Sequence, residues 1–203
     1  MNIIKNLKKY LLIIIITIIA SFFMYKLYDL KINSDIYKMS AICIFTNNSN
    51  KNIKGSVVFK PTKRGLQITV TMEGLKPGLH GFHIHQYGDL SEGCGSLCSH
   101  FNPTNSVHGS RDSPERHLGD LENIIADNNG RVNMTIYDKY LTLTGKFGII
   151  GRSVVVHEDE DDLGKGGLDK NNNVIDEEVH KESLKTGNAG KRIACGVIGY
   201  KKD

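Results

Sequence analysis

The histidines are the residues of this sequence that are most able to do chemistry. Six of the eight histidines in the 203-residue chain lie between residues 83 and 157, and an aspartate lies among them. These candidate ligands are His83, His85, His100, His108, His117, Asp120 and His157. A single histidine is usually an ordinary surface or core side chain, but six at these spacings indicate metal binding.

The donor types in this set narrow the choice of metal. Neutral imidazole suits copper and zinc, and three imidazoles with one carboxylate complete a tetrahedral zinc site. Asp120 follows His117 by three residues and can supply that carboxylate. His83 and His85 are two residues apart, so on a strand both side chains point to one face. The sequence therefore indicates a centre that holds two metal ions.

The elements that must position these ligands are short strands. From Ser40 onward, β-rich runs alternate with turn signals, and no helical period is visible. The predicted strands are Ser40–Thr46, Ile53–Lys60, Leu66–Glu73, Leu79–Gln86, Leu121–Ala126, Arg131–Tyr137, Gly151–His157 and Ile193–Tyr200. Pro61–Gly65 is interpreted as a break between the second and third strands. Regularly spaced strands without helices predict an all-β sandwich or barrel.

Two connections between these strands are too long to be turns. They cover Tyr87–Gly119 and Glu158–Arg192, and loops beyond about 15 residues are usually functional or disordered. We therefore expect these two loops to carry most of the chemistry.

Six motifs of the chain resemble those of the copper/zinc superoxide dismutases, in the order in which that family carries them. They are Gly81–His85, His100–Pro103, His108–Gly109, Arg116–Asp120, Val155–Glu158 and Gly187–Gly196, and the resemblance covers about residues 40–201. It implies an eight-stranded antiparallel Greek-key β-barrel, an immunoglobulin-like sandwich with two long functional loops. It also implies an antioxidant enzyme that converts superoxide to dioxygen and hydrogen peroxide by alternate reduction and oxidation of copper.

The resemblance assigns the candidate ligands to one copper ion and one zinc ion per subunit. The implied copper ligands are His83, His85, His100 and His157. The implied zinc ligands are His100, His108, His117 and Asp120. By resemblance, His100 bridges the two metals as an imidazolate, takes up a proton when that bridge opens and returns it to the peroxide. Asp161 resembles the carboxylate that orients one copper histidine and one zinc histidine in the family.

Other residues match the substrate channel and the structural framework of the family. By resemblance, Arg192 holds superoxide beside copper through charge and hydrogen bonding, and Lys185 and Thr186 line the channel. His80 resembles a histidine that hydrogen-bonds backbone groups, whereas we expect His180 to be exposed.

The four cysteines allow three pairings if all of them form disulfides. The resemblance implies a bond between Cys94 and Cys195, and it matches Cys43 to a buried free thiol. Cys98 departs from the family, because cysteine is not expected two residues before His100. It could compete for the disulfide, bind a stray metal ion or remain a free thiol.

The second long loop also departs from the family. Seventeen residues separate Gly167 from Lys185, about a dozen more than the commonest members carry, and the extra piece lies near Leu168–Val179. It contains the acidic residues Asp169, Asp176, Glu177 and Glu178. Lys181 stands where an acidic residue is expected. The insertion either alters the channel electrostatics or is a loop tip without function.

The N-terminus has the composition of a targeting segment. Lys5, Lys8 and Lys9 precede Tyr10–Tyr25, a run of sixteen uncharged residues that Lys26 closes. A helix of that length rises about 24 Å, slightly less than the ~30 Å hydrocarbon core of a bilayer. We favour an uncleaved anchor, with a cleaved signal peptide as the alternative.

The expected domain organisation follows from this segment. Residues 1–38 form the anchor or signal with a short stalk at 27–38, and residues 39–203 form the dismutase domain. We expect the protein to contact the membrane only through residues 10–25. Anchoring puts the domain on the lumenal or extracellular side, cleavage makes it secreted, and a cytosolic location stays possible. The formal net charge of +4 lies wholly within residues 1–38, so the neutral body argues against a nucleic-acid partner.

A homodimer is the expected assembly. The family pairs through a side of the barrel that here carries apolar, aromatic and glycine residues, which are Tyr87, Gly88, Ile150, Gly151, Val197 and Tyr200. The alternative is that the two tyrosines are ordinary surface residues.

Two non-enzymatic hypotheses compete with the dismutase. One is a catalytically silent copper/zinc-binding structural module of the same fold, and the other is a relative that transfers copper. Loss of Arg192 or of a copper ligand would favour the first, and an incomplete copper set would favour the second, but the sequence keeps all of these residues.

Overall fold

The computed structural model describes residues 2–45, 47–48 and 52–202. Two compact units are present, and the boundary between them falls between Lys38 and Met39. The first unit is one long helix, whereas the second consists mainly of antiparallel strands.

Helix α1 forms the first unit and runs from Asn2 to Lys38. Its part Asn6–Ile32 contains 27 residues and is long and apolar enough to cross a membrane, a criterion that a signal sequence also meets. That part rises about 40 Å, more than the ~30 Å of bilayer hydrocarbon. The helix continues beyond the predicted run at residues 10–25, so the stalk at 27–38 is helical as well.

The second unit is a strongly curved antiparallel sheet. Its strands are β1 (Ser40–Ile44), β2 (Asn47–Asn48), β3 (Lys54–Thr62), β4 (Gly65–Glu73), β5 (Gly78–His85), β6 (Asp120–Ala126), β7 (Val132–Asp138), β8 (Ser153–His157) and β9 (Arg192–Lys201). The strand order is β6-β5-β8-β9-β1-β3-β4-β7, and the short β2 pairs with β9. All eight predicted strands are present, and the Greek-key barrel is confirmed. Thr46, the predicted end of the first strand, lies outside the described residues.

The barrel closes almost completely between its two edge strands. β6 and β7 follow each other in the chain and are joined by a turn at residues 127–131, in which the Asp127 carboxylate accepts hydrogen bonds from the amides of Asn129 and Arg131. Gly130 has a φ of 71°, a left-handed conformation that glycine adopts without steric cost.

The side chains of β5 alternate between the barrel core and the candidate metal ligands. Phe82 and Ile84 are completely buried among the apolar side chains of the barrel interior. Successive side chains of a strand point to opposite faces, so His83 and His85 lie on the outer face of the same strand. Both are nevertheless buried, because the two long loops cover that face.

Pro61 lies within a strand and not in a turn, which corrects the expected break at 61–65. It pairs with Leu66 of β4, and the hairpin turns only at Lys63 and Arg64. β1 pairs with β3 no further than Phe59. Pro61 therefore lies beyond that neighbouring strand, where a missing N–H group costs little.

The second unit also contains a helix that the sequence pattern did not predict. Helix α2 runs from Glu177 to Thr186, inside the second long loop. Asp176 caps it by accepting a hydrogen bond from the amide of Val179, and Gly187 ends it in a left-handed conformation. The insertion therefore consists of turns followed by the first residues of α2.

We predict that Glu122→Gly stabilises the protein. Glu122 has a φ of 73°, and it lies opposite an irregular step in the pairing of β5 with β6, where glycine is favoured. A left-handed non-glycine residue costs on the order of 1–3 kcal/mol, partly offset by the greater backbone entropy that glycine loses on folding. The melting temperature of the metal-free protein should rise by about 2–4 °C.

The matched control for this variant is Glu73→Gly at the end of β4. Glu73 is exposed and has no left-handed backbone to relieve, so its replacement should leave the melting temperature unchanged or lower it. A lower melting temperature for Glu122→Gly than for Glu73→Gly would show that the left-handed backbone of Glu122 does not destabilise the protein.

Candidate metal centre and substrate channel

Four histidine rings converge beside the outer face of β5. One ring nitrogen from each of them lies within 4.8 Å of the corresponding atoms of the other three. The four residues are His83, His85, His100 and His157. His100 reaches this group because its backbone forms an isolated bridge with His85, and His157 reaches it because it ends β8, the strand paired with β5.

The outward nitrogens of three of these rings are held by hydrogen bonds. His85 Nδ1 donates to the carbonyl of Cys98 at 2.8 Å, and His157 Nδ1 donates to the carbonyl of Gly190 at 3.1 Å. His83 Nε2 lies 2.7 Å from an oxygen of Asp161. These contacts fix the orientation of each ring.

The opposite nitrogens of the same rings are buried and have no hydrogen-bond partner within the part of the chain that the structure describes. They are His83 Nδ1, His85 Nε2 and His157 Nε2. A buried polar nitrogen without a partner is unfavourable, and three of them facing one point fit a metal ion. The donor set, imidazole only, fits copper.

A second group surrounds the carboxylate of Asp120. Its Oδ1 lies 2.8 Å from His100 Nδ1, 3.1 Å from His108 Nδ1 and 3.2 Å from His117 Nδ1. Three imidazoles around one carboxylate form a donor set that fits tetrahedral zinc. The donor atoms that all lie within 4.8 Å of one another here belong to His83, His100, His108 and Asp120, so His83 stands in this set in place of the predicted ligand His117. The ring of His83 lies against that of His100, with the centroids 4.0 Å apart. His117 Nδ1 lies 3.4 Å from His100 Nδ1.

Burial sets the protonation of the rings in the metal-free protein. Desolvation, together with the neighbouring rings, lowers the pKa of His100 and of His157 to about 3, and it holds the pKa of His85 well below the usual range. Burial also lowers the pKa of His108, but the nearby carboxylates of Asp120 and Asp161 outweigh it and raise the pKa to about 9. The first three rings are thus neutral at pH 7, which is the form that binds metal.

Asp161 links the two groups. One carboxylate oxygen lies 2.7 Å from His83 Nε2 and the other lies 2.8 Å from His108 Nε2. Asn123 holds the backbone of Asp161 on both sides, because its side chain accepts from the amide and donates to the carbonyl. Burial raises the pKa of Asp161, but the hydrogen bonds to both histidines outweigh it and hold the pKa well below the usual range.

We predict that Asp161→Asn weakens binding at both metal sites. Asparagine has one acceptor oxygen, so only one of the two histidine N–H groups can keep its partner. Loss of such an outer partner typically reduces metal affinity about 10–100-fold. Competition with a chelator measures the affinities, and the exposed Glu160→Gln serves as control. Wild-type affinity at both sites in Asp161→Asn would refute this role.

A cavity of about 440 Å³ opens above the first histidine group. The rings of His85, His100 and His157 form its floor, and Arg192 and Lys185 are among the residues of its walls. Thr186 lines it as well. Lys181 is not among the lining residues, whereas Glu182 is, so an acidic side chain reaches the channel from the next position of α2.

Arg192 is held at the wall of this cavity by backbone carbonyls. Its Nη1 donates to the carbonyl of Cys94 at 2.7 Å, and its Nη2 donates to that of Cys98 at 2.6 Å. The Cys98 carbonyl also accepts from His85, so one peptide group orients both the arginine and a floor histidine. Sequence reasoning missed this acceptor, as it missed Glu182 and Asn123.

The cysteines behave as the resemblance implied where the structure tests them. Cys94 and Cys195 form a disulfide, which ties the first long loop to β9. Cys43 is a buried free thiol, and burial raises its pKa to about 12. Cys98 is an exposed free thiol with a φ of 64°.

The two remaining histidines lie outside the centre. His80 is buried, and its ring nitrogens lie 2.8 Å from the carbonyl of His157 and 2.9 Å from that of Lys76. His180 is half-buried and not fully exposed, because its Nδ1 contacts the carbonyl of Gly166 at 2.9 Å.

Comparison with known proteins identifies the family. The sequence model of the family "Copper/zinc superoxide dismutase (SODC)" matches residues 53–198. The chain is 51% identical over 152 residues to a Cu-Zn superoxide dismutase of Paramecium bursaria Chlorella virus 1, an alignment that covers 74% of this chain and 75% of the relative. It is 47% identical over 167 residues to an extracellular Cu-Zn superoxide dismutase of Brugia pahangi, covering 82% and 79% of the two chains.

A solved structure has a similar fold. The crystal structure of the clock protein EA4 is similar with a TM-score of 0.69 and 43% identity, and the match covers 79% of this chain and 93% of that one. The family implies copper and zinc, and both histidine groups have donor sets that fit these metals. The chain therefore belongs to the copper/zinc superoxide dismutase family and is an oxidoreductase that acts on superoxide.

Proposed function

We propose that this chain dismutes superoxide at the floor of the cavity, at a copper ion held by His83, His85, His100 and His157. The observation that carries the proposal is the convergence of three buried imidazole nitrogens, which have no hydrogen-bond partner among the described residues, beside a cavity that Arg192 also lines. A zinc ion is held by His100, His108, His117 and Asp120, so each subunit binds one copper and one zinc and shares His100 between them. When bound, copper supplies one-electron redox chemistry, and zinc stiffens the loop and holds the shared ring.

The residues of the chain supply charge, orientation and a proton. Arg192 holds the superoxide anion beside the floor histidines through charge and hydrogen bonds, and Lys185 adds positive charge at the cavity wall. His100 takes up a proton at the ring nitrogen that faces the copper group and donates it to the departing peroxide. Thr186 lines the channel at the end of α2.

Pulse radiolysis of the full chain, loaded with both metals in detergent, tests the proposed function. We expect superoxide to disappear in a first-order decay whose rate constant increases in proportion to protein concentration. His85→Ala, which lacks one proposed copper ligand, is loaded in the same way and gives the reference rate. If the chain is a catalytically silent structural module, it should bind both metals but superoxide should decay no faster than with His85→Ala.

The proposed assembly is a homodimer through the barrel side that carries Tyr87, Gly88, Ile150, Gly151, Val197 and Tyr200. Its segments are contiguous, since a side chain added at Gly88 would collide with the carbonyl oxygen of Gly151 and contact Val197. Such a flat apolar patch suits a twofold contact. Native mass spectrometry of the full chain should detect a dimer. Ile150→Asp should break this dimer, whereas the control Lys63→Asp, in the β3–β4 turn, should leave it intact. A wild-type monomer at micromolar concentration would contradict the proposed assembly.

The proposed location is outside the cytoplasm, with α1 retained as a membrane anchor. The exposed apolar side chains of Asn6–Ile32 support the anchor, and the similarity to an extracellular relative supports a location outside the cytoplasm. Mass determination of the mature protein tests retention: a chain that begins after residue 20 would mean that the segment is a cleaved signal and that the enzyme is secreted.

A further inference from the structure

Arg152 lies directly before β8 and contacts three separate parts of the barrel. Its Nε donates to the carbonyl of Gly148 at 2.9 Å, and its Nη1 donates to the carbonyl of Gln86 at 2.7 Å. The guanidinium carbon lies 3.6 Å from the centroid of the Phe101 ring. A guanidinium over an aromatic face within about 6 Å is an attractive contact.

Two of these contacts are adjacent in the chain to floor histidines of the cavity. Gln86 follows His85, and Phe101 follows His100. The two histidines also face each other across an isolated backbone bridge. Arg152 thus contacts the residues that directly follow both histidines of this bridge.

The surroundings of the guanidinium favour a fixed position. Phe101 is buried, and its backbone bonds to Ile84 and Gly119 on either side, so its ring offers a stationary surface. The backbone of Arg152 is held as well, because its carbonyl accepts from the amide of Ile198 at 2.8 Å. Arginine is suited to this arrangement, since its planar fork can bind two carbonyls while it stacks on a ring.

We propose that Arg152 is a positioning residue for copper, which sets the relative placement of His85 and His100 through Gln86 and Phe101 without touching the metal. This inference rests on the proposed copper site. Backbone hydrogen bonds from the amide of Gln86 to Ser99 and from that of Phe101 to Ile84 already join the two segments. The guanidinium adds a side-chain contact to the residues that directly follow both histidines, and this contact restricts the movement of one imidazole relative to the other.

The test compares the full chain with Arg152→Ala, Arg152→Lys and Arg131→Ala, each loaded with copper and zinc. Arg131 is an exposed arginine in the β6–β7 hairpin and serves as control. We expect Arg152→Ala to bind copper with a shifted Cu(II) electron paramagnetic resonance spectrum and a rate of superoxide decay lower by about tenfold, because small misplacements at an active site are costly. Arg152→Lys, which can stack but binds fewer carbonyls, should give an intermediate spectrum.

The outcomes separate the inference from the proposed function. A wild-type Cu(II) spectrum and rate in Arg152→Ala, even with a lower melting temperature, would overturn the positioning role and leave a structural one. A wild-type protein that binds no copper at the histidine group would overturn the proposed function itself. Arg131→Ala should match the wild-type spectrum, and an equal shift in this control would also refute the specific role of Arg152.

Discussion

Replacing His100 by alanine should disrupt both metal sites at once. Its ring belongs to the all-histidine group, and its Nδ1 also lies 2.8 Å from Asp120 in the second group. Removal of the ring takes one donor from each site and removes the proposed bridge. Because loss of even an outer partner costs about 10–100-fold in metal affinity, we expect loss of a shared ligand to exceed that range at both metals. Dismutation should fall with the copper content.

The matched variant is His108→Ala, which removes a ligand from one proposed site only. His108 contacts Asp120 and Asp161, and it is not part of the four-histidine group. We expect it to lose chiefly zinc and to retain copper. Metal analysis after dialysis against limiting chelator measures both contents. Equal copper retention in His100→Ala and His108→Ala would contradict the shared ligand.

Much of the barrel and of the ligand set could be predicted from the sequence, for local reasons. β-rich runs between turn signals identify the strands, and the alternation at His83 and His85 puts both rings on one face. Asp161 could be found only through the family resemblance, because its two histidine partners are 78 and 53 residues away in the chain. The carbonyl of Cys98 could not be predicted at all, since every residue has a carbonyl and only the folded loop selects one.

Helix α2 was missed for a physical reason. It is short, mostly exposed and lacks an apolar stripe, and among its described residues only Ser183 is buried. Hydrophobic periodicity, the main sequence signal of a helix, is therefore absent. Its ends did carry signals, namely the capping residue Asp176 and the terminal Gly187. Since the phase of this helix decides which side chains enter the channel, Glu182 could not be assigned to the channel from sequence.

Arg192→Ala should greatly slow dismutation while leaving the copper content unchanged. The guanidinium lies at the wall of the cavity and is not part of either group of metal-binding atoms, so its loss removes charge and hydrogen-bond donors but no ligand. His85 keeps its hydrogen bond to Cys98, which holds that ring in place. Charge in a confined channel changes association rates by about 10–10³-fold, and we expect a loss within that range at low salt.

The dependence of the rate on salt, together with two matched variants, distinguishes attraction of superoxide by Arg192 from a general effect of the protein's positive charge. High ionic strength should narrow the difference between wild type and Arg192→Ala, because screening weakens the advantage of the wild-type charge. Lys191→Ala removes an exposed positive charge one residue away that does not line the cavity, so it should slow the reaction little. Arg192→Lys keeps the charge but not the fork that binds two carbonyls, and we expect an intermediate rate. Pulse radiolysis at several salt concentrations measures the rate of superoxide decay for all four proteins. Equal rates for wild type and Arg192→Ala at low salt would contradict the proposed role of Arg192.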